Sequence, residues 1–171
     1  AAIFDADKLS WVNEQYIQST PPEELAQHLE PHLVKTRILS EDHDLSPQEI
    51  AKVIPCLNQR AKTLVEMAEK SAFFFKKEVE FDEKARNKFL TEDARPLLEK
   101  VIAGFSTLDD FSAENIETLF KKIVEEEGMK LGKLAQPIRV ALTGTTVSPG
   151  IYDVILLLGK EETLKRLKDV I

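Results

Sequence analysis

Pro137-Ile138-Arg139-Val140-Ala141-Leu142-Thr143-Gly144-Thr145-Thr146-Val147-Ser148-Pro149-Gly150 runs directly into Ile151-Tyr152-Asp153-Val154-Ile155-Leu156-Leu157-Leu158-Gly159-Lys160. Two helix signals flank a polar loop of Thr, Ser and Gly. Pro137 suits the first position of a helix, where a missing N–H costs nothing, and Gly144 suits the position just past its end. Ser148 reads as an N-cap, Pro149 as a first-turn residue and Gly159 as a C-terminal stop. The loop therefore leads into a helix N-terminus, with unbonded N–H groups and the positive end of the helix dipole. Arg139 stands one turn before the loop. Such a place suits a phosphate or a base edge.

Helical periodicity extends over the rest of the chain. Ser112-Ala113-Glu114-Asn115 caps a run with Ile116, Leu119, Phe120, Ile123 and Val124, an i, i+3, i+4, i+7, i+8 stripe that faces a core. Phe111 before the cap suits a hydrophobic staple on Ile116, and Gly128 ends the run. Thr20-Pro21-Pro22-Glu23 opens a helix carrying Leu25, Leu29 and Leu33. Ser46-Pro47-Gln48-Glu49 is a capping box opening a long helix with Ile50, Val53, Ile54, Leu57, Ala61, Leu64, Val65 and Ala68. Pro55 inside it predicts a kink or break near residues 51–55. Residues 39–45 read as a loop. Residues 76–82 follow the Phe73-Phe74-Phe75 cluster and break the pattern, with Glu78-Val79-Glu80-Phe81 as the one short strand candidate. The expected fold is all-α and multihelical, with two small helical subdomains over 1–78 and 79–171.

The 171 residues suit one large domain or two small ones. A hydrophobic share of 43% beside 31% charged residues is that of a packed, soluble protein. One cysteine, Cys56, excludes a disulfide framework or a four-thiolate zinc site within the chain. No apolar run approaches the ~20 residues of a membrane span, and no signal peptide is visible, so a cytoplasmic setting with no membrane partner is expected. The opening Ala1-Ala2, without an initiator Met, is expected to mark a domain boundary. A net charge of −7 opposes a non-specific nucleic-acid binder. It leaves room for a protein that touches one loop of a folded RNA through a local basic patch, weakly and with strong salt dependence.

The wording of the opening stretch, P-x-R-V-A-L-T-G-x-x-x-S/T-P-G and an apolar helix ending L-L-G-K, resembles the C-terminal end of bacterial-type glutamyl-tRNA synthetases, which are class I enzymes. Three further blocks carry the resemblance in order. Leu9-Ser10-Trp11-Val12-Asn13-Glu14-Gln15-Tyr16-Ile17 is similar to the family's L-x-W-x-N-x-x-Y-I motif. Ile54-Pro55-Cys56-Leu57-Asn58-Gln59-Arg60-Ala61-Lys62-Thr63-Leu64 is similar to its middle motif, and Lys130-Leu131-Gly132-Lys133-Leu134-Ala135-Gln136 precedes the last. The resemblance implies an all-helical anticodon-binding part, severed from its catalytic domain, that recognises the anticodon loop of glutamate tRNA. H-I-G-H-like and K-M-S-K-S-like motifs are absent, as is a G-x-x-x-x-G-K-[ST] loop. The chain is therefore not expected to activate glutamate or hydrolyse ATP by itself. It carries no cofactor in this reading, ATP and magnesium belonging to the parent enzyme. A monomer that contacts no DNA is expected.

Residue by residue, Arg60 comes first. Taken alone it is an Arg at the edge of an apolar stripe, stem packed and head in water. The resemblance implies a reader of the third anticodon base, which is C for glutamate and G for glutamine. An unpaired C offers two adjacent acceptors, O2 and N3, to the two donors of a guanidinium fork; G presents donors at N1 and N2 instead. For Arg139 the bland reading is a helix cation paired with a carboxylate, and the implied one is contact with the anticodon loop. Thr143, Thr145, Ser148, Pro149 and Ile151 line the adjoining loop and helix start, where capping and RNA contact are compatible; Thr145, Ser148, Pro149 and Ile151 are carried over as contacts. Lys133 reaches a phosphate in the implied reading and is a solvated lysine otherwise. Gln18 stands where the family commonly has a basic residue. Trp11, which forms the entry motif with Asn13 and Tyr16, reads as core packing with a polar tip rather than a stacking platform. His28 and His32 at i, i+4, with Glu24 one turn earlier, have metal-like spacing but no third ligand, and read as exposed helix residues. The runner-up function is a helical protein-interaction module without RNA contact. A stand-alone enzyme with a carboxylate pair ranks last.

Overall fold

In a computed structural model, residues 5–171 are described; the boundary expected at Ala1-Ala2 lies outside them. Among the described residues no strand forms, and they divide into two compact units, 5–76 and 77–171.

The first unit holds α1 (Ala6–Ser19), α2 (Pro22–Lys35), α3 (Pro47–Ala51), α4 (Ile54–Leu57) and α5 (Leu64–Phe75). Its centre is α2, which packs on α3 and α5 with Leu25, Ala26, Leu29 and Leu33 fully buried. Each fully buried Leu contributes about 1.5–3 kcal/mol. The capping box forms: Ser46 Oγ accepts from the Glu49 N–H at 3.3 Å, and Glu49 Oε2 accepts from the Ser46 N–H at 2.8 Å. The single long helix expected from Pro47 to Ala68 is instead three pieces. The first break, at residues 52–53, falls just before Pro55 and within the expected 51–55, and a second break spans residues 58–63. The physical cause of the second is Thr63, whose Oγ1 accepts from the Glu66 N–H at 3.1 Å and caps a new helix. Trp11 also departs from expectation: it is 60% exposed rather than packed, because α1 buries Ile17 and no other side chain.

The second unit holds α6 (Glu83–Phe89), a 3-10 turn (Glu92–Ala94), α7 (Arg95–Thr107), α8 (Ala113–Glu126), α9 (Leu131–Thr143) and α10 (Ile151–Lys168). α7, α8, α9 and α10 pack on one another around Leu98, Val101, Phe105, Ile116, Phe120 and Ile138. Phe105 stacks on Phe120 at 6.0 Å and meets Phe111 edge-on at 5.2 Å. The α8 stripe is as its periodicity predicts, with Ile116, Phe120 and Ile123 buried and Leu119 and Val124 half-buried. Gly128, at φ 58°, ends it. Two expectations fail at α9 and α10. Pro137 is the seventh residue of α9, not the first; the helix starts at Leu131 because the added turn buries Leu134 and Ala135, offsetting the roughly 3 kcal/mol cost of an internal proline. Gly159 stops a helix, but another begins at once: its φ 76°, ψ 170° is a conformation reserved for glycine, and α10 bends there rather than ending.

Candidate nucleic-acid interface

The loop that opened the sequence reading, residues 144–150, is fixed at both ends. At its start Gly144 adopts φ 78°, and its N–H donates to the Val140 carbonyl at 2.8 Å. Its carbonyl accepts from the Asp82 N–H at 2.9 Å, so the segment entering α6 lies directly against it. A Cβ at this position would stand 1.9 Å from the Glu80 carbonyl oxygen, so the approach itself requires glycine. Glu78–Phe81, the strand candidate, is thus an irregular strap across the end of α9.

At the other end the half-buried Arg139 reaches across the loop. Its Nη1 donates to the Pro149 carbonyl at 2.7 Å, to the Ser148 carbonyl at 3.4 Å and to Ser148 Oγ. These three loop oxygens are acceptors that the bland reading did not foresee. Ser148 is consequently not the N-cap. Its hydroxyl accepts from Arg139 and donates to the Pro149 carbonyl at 2.9 Å, while Gly150 occupies the cap position without a side-chain bond. Asp153 stands in the first turn of the helix, its Oδ2 2.7 Å from where a Gly150 Cβ would be. A carboxylate in the first turn of a helix suits the positive end of its dipole.

Between the two anchors, Thr143 Oγ1 donates to the Arg139 carbonyl at 2.8 Å and accepts from the Thr145 N–H at 3.4 Å; Thr145 Oγ1 donates to the Val147 carbonyl at 2.8 Å. Pro149 is buried, and Ile151 is 6% exposed and belongs to the core. What the loop offers outward is Thr145, Thr146 and Val147, the last 78% exposed. Lys133 is exposed in the first turn of α9, two turns before Arg139.

Arg60, in the other unit, is exposed in the turn between α4 and α5 and not on a helix edge. Its N–H donates to the Leu57 carbonyl at 2.8 Å and its carbonyl accepts from Lys70 Nζ. Lys70 Nζ also meets Glu66 Oε1 at 2.6 Å, and Glu66 Oε2 accepts from the Lys62 N–H at 2.8 Å. The Lys62 N–H first, and then Lys70, hold the Glu66 carboxyl below its ordinary value. One carboxylate therefore ties both sides of the turn that presents Arg60.

Three residues around the loop have places that no local sequence pattern signals. Arg166, 4% exposed, donates from Nη1 to the Leu142 carbonyl at 2.7 Å and from Nε to Glu162 Oε1 at 2.6 Å, closing one of the open carbonyls at the end of α9. Its i, i+4 Glu162 was a visible signal for a helix ion pair, not for this reach. Glu80 supplies the strap under Gly144. Gln136, one turn before Arg139, has a buried Oε1 with no hydrogen-bond partner among the described residues. Among those residues, no three His, Cys, Asp or Glu side chains gather as a metal site: His28 lies edge-on to Tyr16 at 6.3 Å, and His43 Nε2 meets Glu30 at 3.4 Å. None of the helices described is long and apolar enough to cross a membrane.

Comparison with known proteins gives this geometry a family. The model of the anticodon binding domain matches residues 24–171. A glutamate–tRNA ligase of Thermodesulfovibrio yellowstonii is 42% identical over 170 residues, 99% of this chain and 37% of that protein. One of Geotalea uraniireducens is 45% identical over 168 residues, 98% of this chain and 35% of that protein. The crystal structure of a glutamate tRNA ligase from Elizabethkingia meningosepticum, in complex with its amino acid, superposes with a TM-score of 0.83 at 29% identity, over 99% of this chain and 33% of that one. The chain spans little more than a third of the length of the curated relatives it matches. With 148 of its 171 residues inside the family model, it belongs to the anticodon binding domain family and corresponds to that domain of a glutamate–tRNA ligase.

Proposed function

We propose that this chain tests the anticodon loop of a glutamate tRNA on behalf of a ligase that joins glutamate to that tRNA. In this reading ATP and magnesium act in the remainder of the ligase, in the cytoplasm, and no step of the chemistry occurs on this chain. The observation that carries the reading is the loop 144–150: pinned at Gly144 and by Arg139, it holds Thr145, Thr146 and Val147 outward. A fixed tip with backbone and hydroxyl groups beside an exposed apolar side chain suits an unstacked RNA base, which has hydrogen-bonding edges and an apolar face. Arg60 supplies the second element, a guanidinium fork on a turn held by Glu66 and Lys70, for the third anticodon base. Arg139 acts here by holding the loop's shape. Lys133 adds charge for the RNA backbone.

Binding is expected to be weak and steeply salt-dependent, because local cations work against a net charge of −7. The test is fluorescence anisotropy of the chain with a glutamate-tRNA anticodon stem-loop at low salt, beside a stem-loop whose third anticodon base is G instead of C. Tighter binding of the C form supports the reading. Equal binding assigns recognition to shape and charge. No binding to either stem-loop or to full-length tRNA returns the chain to a protein-interaction module.

A further inference from the structure

We propose that Arg86 of α6, lying over the Phe81 ring, holds a backbone phosphate of the RNA whose loop meets the 144–150 tip, and that it positions this RNA without reading a base. The inference rests on the reading of the chain as one that tests a tRNA anticodon loop. Asp82 Oδ1 accepts from the Ala85 N–H at 2.7 Å and opens α6, of which Ala85 is the one buried residue. Lys84, Arg86 and Lys88 are exposed, three cations against the single carboxylate of Glu83. In a chain of net charge −7 this is a local excess of positive charge. Two of these cations lie over rings: the Arg86 guanidinium carbon stands 5.2 Å from the centre of Phe81, and Lys88 Nζ 5.2 Å from the centre of Phe89.

Arg86 is the one tied to the loop. Residues two apart on a helix point about 200° apart, so Arg86 and Lys88 flank Ala85 on opposite sides. Phe81, under Arg86, directly precedes Asp82, whose N–H donates to the Gly144 carbonyl at 2.9 Å. Gly144 begins the 144–150 loop, so one ring and one peptide connect the guanidinium to that loop. The helix itself packs on α9, which carries Arg139 and ends at the same glycine.

The chemistry separates Arg86 from the other arginines of this unit. Arg139 and Arg166 direct donors to the chain's own carbonyl oxygens. The Arg86 side chain makes no ion pair and no hydrogen bond among the described residues, although Asp82 and Glu83 are its neighbours in sequence. A guanidinium resting on a ring has fewer rotamers to lose on binding and keeps its N–H edge for a bidentate acceptor. A phosphodiester matches that edge in geometry and charge. Base reading needs a walled, water-poor site, and Arg86 is exposed; a phosphate contact fixes register and carries no sequence information.

Anisotropy with the C and G stem-loops, titrated from about 50 to 200 mM salt, tests the proposal. Arg86→Gln is expected to weaken binding of both loops equally, by about three- to tenfold at low salt, and to lower the slope of log affinity against log salt by about 0.7. Lys88→Gln removes the same charge from the opposite flank and is expected to have less than about half that effect. Phe81→Leu keeps the charge and is expected to keep the slope while weakening binding; thermal midpoints show whether each variant folds, and Arg86→Gln against Lys88→Gln decides the matter if Phe81→Leu does not. Equal losses in Arg86→Gln and Lys88→Gln overturn the proposal. So does an altered C-to-G ratio in Arg86→Gln, which makes the side chain a base reader. A wild-type chain that prefers the C form while Arg86→Gln matches it keeps the anticodon reading and removes only this site; a wild-type chain that binds neither loop overturns both.

Discussion

Arg139 Nη1 donates to the carbonyl oxygen of Pro149 at 2.7 Å, so this side chain braces its own loop. A hydrogen bond from a charged donor contributes about 1.5–3 kcal/mol, and Arg139 makes several from one nitrogen. Arg139→Ala is expected to destabilise the chain by about 2–3 kcal/mol and to lower its thermal midpoint by several degrees. Arg139→Lys keeps the charge but loses the planar fork. It is expected to leave the salt dependence of RNA binding unchanged while speeding amide exchange over 145–149. Unaltered exchange in the lysine variant would show that the loop is held by something else.

Two glycines with positive φ separate two causes of glycine dependence. At Gly144 an added Cβ meets the Glu80 carbonyl oxygen at 1.9 Å; at Gly159 it meets nothing within 4 Å. Gly159→Ala then pays only backbone strain, about 1–3 kcal/mol. Gly144→Ala adds displacement of the 78–82 strap and is expected to cost more than that, with loss of the Asp82–Gly144 bond. Urea unfolding of both variants checks the order; equal costs would mean that the strap yields freely.

Arg166 closes the Leu142 carbonyl from a buried position. Arg166→Met keeps the stem's volume and leaves that carbonyl unsatisfied, an expected loss of about 1–3 kcal/mol. Glu162→Gln is expected to cost less, since its side chain is 32% exposed and water replaces the ion pair. Denaturant midpoints of the two variants decide whether the carbonyl or the ion pair dominates.

The legible part of this fold is its local chemistry. Ser46–Glu49, Ser112 and Gly128 act through neighbours in sequence, and each appears where a cap or stop was read. The α8 stripe was legible for the same reason. The misreadings are tertiary. Ser148 has an N-cap's sequence, but Arg139, nine residues earlier, takes its hydroxyl. Pro137 has a helix starter's sequence, but burial of Leu134 extends the helix past it. Thr63 has a cap's chemistry, but the apolar spacing from Ile50 to Ala68 runs through it unbroken and masks the break. Arg60 moved from a helix edge to a turn on that account. Arg166 and Glu80 reach the loop across 24 and 64 positions of sequence, where no local pattern points to them.

Glu66 gives the Arg60 turn a pH dependence. Its carboxyl is held below the ordinary value of 4.5 by the Lys62 N–H and by Lys70. The unfolded chain therefore binds this proton more readily than the folded one, and stability rises with pH through that region. The contribution is fully present above about 4.5 and is lost as the pH falls through the lower folded value. Glu66→Gln is expected to flatten the acid limb of stability and leave the neutral plateau only slightly lowered, because the pair is partly exposed. Thermal midpoints from pH 7 down to about 3 check this; parallel acid limbs would remove Glu66 as their source.

The same turn carries the specificity prediction. Arg60 is exposed, and its peptide is held on both sides, N–H to the Leu57 carbonyl and carbonyl to Lys70 Nζ, so the guanidinium is presented from a fixed backbone. In the proposed function, two donors would face the O2 and N3 of an unpaired C and would become donors facing donors when the base is G, at about 1–3 kcal/mol per unsatisfied group. A glutamine side chain carries both an acceptor and a donor and satisfies either base in part. Arg60→Gln is therefore expected to weaken binding of the C form and to shrink the preference for C over G by about ten- to a hundredfold. Anisotropy with the two stem-loops reads this directly, and kcat/KM of the full-length ligase on the two tRNAs reads it in context. A preference unchanged by the substitution would leave Arg60 a solvated residue on a well-tied turn and pass base reading to the Thr145–Val147 tip.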